Sequence, residues 1–117
     1  MNLEIKSICL YDEPLPNGED FSVSMRVEIG ERGREGAESF WFVAASPTGL
    51  ANEVPDGGYK LLRGYVLMTV FDMNLVRRSI EELIDQARSR ETWAEVVAFF
   101  SRHSRYDSED IEGDRFP

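Results

Sequence analysis

Phe21, Val23, Met25, Val27 and Ile29 alternate strictly with Ser22, Ser24, Arg26 and Glu28. Successive side chains of a strand point to opposite faces, so this period of two dictates a strand with one face buried and the other in water. Directly after it comes Gly30-Glu31-Arg32-Gly33-Arg34-Glu35-Gly36, and then the aromatic run Ser39-Phe40-Trp41-Phe42-Val43-Ala44-Ala45. Strand, glycine-punctuated polar loop and second strand read as a hairpin with a longish turn. The glycines recur as G-x-x-G-x-x-G, but a phosphate loop needs a helix N-terminus behind it so that free N–H groups converge on the anion. A strand follows here, which discards that reading.

The remaining segments fit around the hairpin. Residues 3–10 form a plausible first strand whose alternation shifts after Ser7, as at a bulge or a strand end. Residues 12–20, with Pro14, Pro16, Asn17 and Gly18, make a turn-rich connection. Residues 47–58 read as a loop with a short helical turn near Pro47 to Leu50. Tyr65-Val66-Leu67-Met68-Thr69-Val70-Phe71 is nearly continuous apolar sequence, as expected of a strand covered on both faces. Val76, Ile80, Leu83 and Ala87 then recur at helical spacing, with Arg77, Arg78, Glu81, Glu82, Asp85 and Arg88 on the outer side. Thr92-Trp93-Ala94-Glu95 matches a capping box, in which Thr92 accepts from the Glu95 N–H and the Glu95 carboxylate returns to the Thr92 N–H. A second helix therefore starts at Trp93 and buries Val96, Val97 and Phe100. The expectation is a single α+β domain over residues 1–117. It has a four-stranded, mainly antiparallel sheet (3–10, 21–29, 38–46 and 64–71) with two C-terminal helices (74–88 and 93–103) packed on one face.

Charge narrows the partners. The 117 residues include 42% hydrophobic side chains, enough to bury a sizeable core despite 30% charged ones. Thirteen Lys and Arg stand against 22 Asp and Glu, for a net charge of −9. Residues 1–20 and 107–117 each carry five acids and one base, whereas residues 21–106 are nearly neutral. Free nucleic acid and anionic membranes attract basic surfaces, so the balance argues against both and favours a basic partner. The lone Cys9 can make no intramolecular disulfide and suits a reducing compartment. With no basic start followed by a long apolar run, and no apolar stretch long enough to cross a bilayer, a cytoplasmic location is expected.

Catalytic chemistry has little to build on. His103 is the sole histidine, and structural zinc usually takes three or four His or Cys ligands, so no metal site is expected. Cys9 or Ser101 could pair with His103 as a nucleophile, yet no nucleophile elbow or cysteine-protease signature surrounds either. Residues 107–114 resemble a calcium loop only superficially. Counted from Asp107, the sixth position is Glu112 where the EF-hand requires glycine, and no glutamate stands at the twelfth. No cofactor is implied. Trp41 and Trp93 read as core or rim aromatics.

The run Ile29 to Phe42, with its I-G-x-x-G-x-x-G-x-E-S-F core, resembles the signature of the immunity protein 8 family, antidotes of bacterial polymorphic toxin systems such as contact-dependent growth inhibition. Ala45-Ser46-Pro47-Thr48-Gly49-Leu50 stands where the family has a T-P-x-x-L turn. Glu91-Thr92-Trp93-Ala94-Glu95 matches its E-T-W-x-E helix start, and Tyr106-Asp107-Ser108-Glu109-Asp110 follows in order. Residues 51–63 depart from the pattern. The resemblance implies a non-enzymatic protein that binds and neutralises a cognate toxin domain, commonly a nuclease with a basic groove. Asp12, Glu13, Glu19, Asp20, Asp107, Glu109, Asp110, Glu112 and Asp114 are then candidates to face that toxin. The competing readings are an accessory subunit of a larger assembly and a small enzyme using Cys9 and His103.

Overall fold

A computed structural model describes residues 1–12 and 20–106. Strand β2 (Ser22–Glu31) carries the alternation into three dimensions: Val23, Met25, Val27 and Ile29 are buried, and Ser22, Ser24, Arg26 and Glu28 are half-buried on the other face. Strand β3 (Glu38–Ala45) pairs with it antiparallel, in register from Ser22↔Ala45 to Ile29↔Glu38. The turn between them uses Gly33 and Gly36 at positive φ. It folds back so closely that a Cβ at Gly30 would stand 2.5 Å from the Gly36 carbonyl oxygen.

Strand β1 (Leu3–Leu10) lies antiparallel on the far side of β2. Its register runs Ile5↔Ile29 and then Ser7↔Glu28, so Lys6 is the extra residue of a bulge. That bulge keeps Ile5 opposite Ile29 and places Ile8 and Leu10 opposite Val27 and Met25, on the buried face. The irregularity expected near Ser7 is therefore real, one residue earlier.

The last expected strand is shortened. Strand β4 is Tyr65–Leu67, not residues 64–71, and it runs parallel to β3 (Val43↔Tyr65, Ala45↔Leu67). Beyond it the Met68 N–H still reaches the Ala45 carbonyl at 3.0 Å, after which the chain turns toward the next helix. Nor is the run covered on both faces, since Leu67 and Val70 are exposed. The physical reason is position: β4 ends the β1-β2-β3-β4 order, and an edge strand has a neighbour on one side only. A two-residue strand, β5 (Arg105–Tyr106), also pairs antiparallel with β3, at Trp41 and Phe40.

Three helices complete the fold: α1 (Pro47–Ala51), α2 (Met73–Ala87) and α3 (Trp93–Ser101). Helix α2 is capped by Asp72, which accepts from the Asn74 N–H at 2.8 Å, and it buries Val76, Ile80, Ile84 and Ala87. Helix α3 starts at the expected box, with the Glu95 N–H donating to Thr92 Oγ1 at 3.2 Å. The Glu95 carboxylate accepts from the Thr92 hydroxyl, also at 3.2 Å, where the sequence reading placed it on the N–H. The helix ends at Ser101, two residues short of expectation. Its Val96, Phe99 and Phe100 join the same buried cluster, with the Phe100 ring 5.1 Å from Phe40. Helices α2 and α3 thus cover one face of the sheet, as an α+β chain of this pattern requires.

Candidate functional site

The other face of the sheet carries Ser7 and Cys9 from β1, Ser22, Ser24, Arg26 and Glu28 from β2, and Ser39, Trp41 and Val43 from β3. Its middle is aromatic and cationic. The Tyr11 and Trp41 rings lie 4.9 Å apart, and the Arg26 guanidinium carbon sits 5.8 Å from the Tyr11 centroid, close enough for a cation–π contact. Arg26 Nε is buried without a hydrogen-bond partner among the described residues, a cost that this stacking offsets only in part. At one side of the sheet the face opens into a cleft of about 720 Å³, floored by Ser22, Ser24, Trp41 and Val43 and walled by the chain from Glu53 to Tyr65.

That wall is fastened by one carboxylate. Glu53 accepts from the Ser22 hydroxyl on one oxygen. On the other it accepts from the Tyr65 hydroxyl at 2.6 Å and meets Lys60 Nζ at 3.2 Å. Burial by itself would push the Glu53 carboxyl up, but these three donors together outweigh it and hold the group below its ordinary 4.5. Tyr65 moves up from 10.0, first through burial and then because its hydroxyl is a donor to Glu53. Lys60 is also raised, by its contacts with Tyr65 and with Glu53. No short motif announces this cluster, because Ser22, Glu53, Lys60 and Tyr65 are brought together only by the fold.

Among the candidate acidic residues, Asp12 and Asp20 can be placed. Asp12 accepts from the backbone N–H of Ser24, on the floor of the cleft. Asp20 accepts from Asn52 Nδ2 at 3.3 Å, beside the start of the wall. Both ends of the connection they bound are therefore tied to the rim of the cleft. Glu13, Glu19, Asp107, Glu109, Asp110, Glu112 and Asp114 lie outside the described residues. Their points of departure do not: Tyr11 stacks on Trp41, and Trp41 pairs through its backbone with Arg105 of β5. One acidic segment leaves the sheet just after Tyr11 and the other just after Tyr106, on either side of Trp41.

Cys9 and His103 are not brought together. Cys9 is exposed on β1 opposite Arg26, whereas the His103 ring packs 4.8 Å from Phe99 and its carbonyl lies beside Gly64, so β2 and β3 stand between them. Among the described residues no group of three or more His, Cys, Asp or Glu is arranged to hold a metal ion. No helix among them is long and apolar enough to cross a membrane.

The fold thus offers a helix-backed sheet whose open face is lined by aromatic and charged side chains, with Asp12 and Asp20 tied beside its cleft. The family model of immunity protein 8 matches residues 3–111, and the chain belongs to that family. Membership makes it an immunity protein against a toxin, with a cognate toxin as the implied partner. No curated protein and no solved structure matches the chain.

Proposed function

We propose that this chain neutralises its cognate toxin by stoichiometric protein–protein binding in the cytoplasm, and that the toxin is a nuclease with a basic substrate groove. The carrying observation is that two segments, each with a net charge of −4, are connected to the sheet at points flanking Trp41: one follows Tyr11, whose ring packs on Trp41, and the other follows β5, which pairs with Trp41. A nuclease groove gathers phosphate with Lys and Arg, and an acidic antidote competes for the same cations. Complementary charge also accelerates encounter and penalises wrong partners. Asp12, Glu13, Glu19, Asp20, Asp107, Glu109, Asp110, Glu112 and Asp114 supply that field in this reading.

Stopped-flow association with the cognate toxin domain, sought first in the adjacent upstream reading frame, tests it. Converting the five C-terminal acids to Asn or Gln should slow association and flatten its salt dependence, with thermal stability nearly unchanged. The four N-terminal acids, changed as a separate set, should act in the same direction, although Asp12 also closes the ladder at Ser24. Association rates and salt slopes unaltered in both variants would remove the electrostatic part of the proposal. Failure of the unaltered chain to bind would remove all of it.

A further inference from the structure

Residues 52–64 run from the end of α1 to β4 without helix or strand, yet they are fastened along their length. Glu53 holds the first turn to Ser22 and Tyr65, Lys60 returns to Glu53, and the Gly64 carbonyl accepts from the Val43 N–H at 2.8 Å. Between these fixings the segment turns apolar side chains outward: Tyr59 is 80% exposed, Leu61 85% and Leu62 54%. Leu67 of β4 and Val70 beyond it are exposed as well. Burying such side chains is favourable, so holding several in water on a fastened loop forgoes stability the fold could have taken. Exposed apolar groups collected in one place mark an interaction surface.

Resting on the toxin-binding reading above, we infer that residues 59–62 are the anchor of the interface, entering an apolar recess on the toxin while the acidic segments meet the basic surface around that recess. Charge selects this occupant over a second copy of the chain. Pairing two copies would set −9 against −9, and Asp12 and Asp20 are both tied beside the cleft that this loop walls. A toxin with a cationic surface meets the same rim with attraction. Interfaces of this type place aromatic and aliphatic side chains in a desolvated centre and charge at the rim; here Leu61 lines the cleft whose floor residue Ser24 holds Asp12, and Asp20 is tied to Asn52 where the wall begins. Centre and rim then have separable kinetic signatures: the apolar anchor governs dissociation, the acidic rim governs association.

The test is the double variant Tyr59→Ser, Leu61→Ser, whose side chains are too exposed to contribute to the core. Its melting temperature should stay at the unaltered value, its association rate with the cognate toxin domain should change less than about twofold, and its dissociation should accelerate on the order of tenfold or more. As a second readout, a photo-crosslinking side chain at Leu61 should give a covalent toxin adduct, and one at exposed Glu82 on α2 should not. Dissociation unchanged in the double variant, or an adduct from position 82 and none from 61, would overturn the anchor while the unaltered chain still bound toxin. A dimer in solution that the double variant dissolves would assign the surface to a second copy and also overturn it. If the unaltered chain failed to bind the toxin, the functional reading itself would fall, and the anchor with it.

Discussion

Ser46 is fully buried, and its hydroxyl is used to capacity. It accepts from the Gly49 N–H at 3.0 Å as the N-cap of α1, and from the Phe21 N–H at 3.1 Å at the entry to β2. Its proton points toward Thr48 Oγ1 at 3.3 Å or the Phe21 carbonyl at 3.4 Å. Replacing Ser46 by Ala removes the one oxygen that accepts from both N–H groups. Loss of a cap costs about 1 kcal/mol, and a second N–H left buried without a partner costs about 1–3 kcal/mol more. The sum, about 2–4 kcal/mol, is a large share of the ~5–15 kcal/mol available to a domain and lowers Tm by roughly 8–16 °C. Urea titration followed by tryptophan fluorescence should show a lower midpoint with an unchanged slope, the mark of lost stability without a change in compactness. Gly49→Ala is the companion variant. Its Cβ would stand 1.8 Å from the Phe21 carbonyl oxygen, so α1 has to leave the strand, and the loss should reach on the order of 4 kcal/mol. A loss below about 0.5 kcal/mol for Ser46→Ala would refute the claim that this hydroxyl ties α1 to the sheet.

Two further outcomes follow from the site. Glu53 is depressed in the folded chain, so its contribution is present above 4.5 and is lost as pH falls through its lower folded value. Tyr65 and Lys60 are raised, so theirs are present below 10.0 and 10.5 and are lost as pH rises past those values. Hydrogen-exchange protection of residues 58–64 should therefore be level between pH 4.5 and 10.0 and fall in acid, and Glu53→Gln should abolish the acid limb; protection that declines already near neutrality would refute the latch. Replacing Cys9 and His103 together by Ala should leave protection of cells against the toxin intact, because both side chains are exposed and stand apart; a collapse of protection with fold and toxin binding preserved would revive the enzymatic reading.

Much of the scaffold was legible because local rules and tertiary packing agree. The alternation through β2 matches its burial residue by residue, and the Thr92 box marks the start of α3. Helix α2 was readable to within one turn of its face: Val76, Ile80 and Ala87 are buried as the spacing demands, but Ile84 takes the fully buried place and Leu83 is only half-buried. A stripe a little wider than one line of side chains explains the difference. The apolar run at 65–71 misled because continuous hydrophobicity does not fix strand length, nor whether the pairing is parallel. Here Gly64 and Met68 bracket a three-residue pairing, and the remaining apolar side chains serve α2 entry or stay in water. The Glu53 cluster carries no local signal at all, since each partner is ordinary in its own neighbourhood.

The acidic segments show how a sequence feature acquires meaning from topology. On the sequence they are 86 residues apart and equally compatible with plain solubility. The connection bounded by Asp12 and Asp20 joins β1 to β2, while β5 returns the chain to β3, so the two departures are separated by neighbouring strands only, about 5 Å per step. The Lys6 bulge contributes to this arrangement. If Lys6 were paired in the ladder instead of bulged out, β1 beyond it would shift by one position and turn Ile8 and Leu10 to the open face. Tyr11, two residues past Cys9 on the same side, would then turn away from Trp41. Deleting Lys6 joins Ile5↔Ile29 directly to Ser7↔Glu28 in an unbroken ladder, so the deletion should leave Ile8, Leu10 and Tyr11 on their present faces and lose only the exposed Lys6 contacts to Glu4 and the Arg34 carbonyl; a melting temperature far below that of the unaltered chain would refute the bulge reading. The bulge that sets the hydrophobic register of this edge strand is thus also what keeps Tyr11 against Trp41.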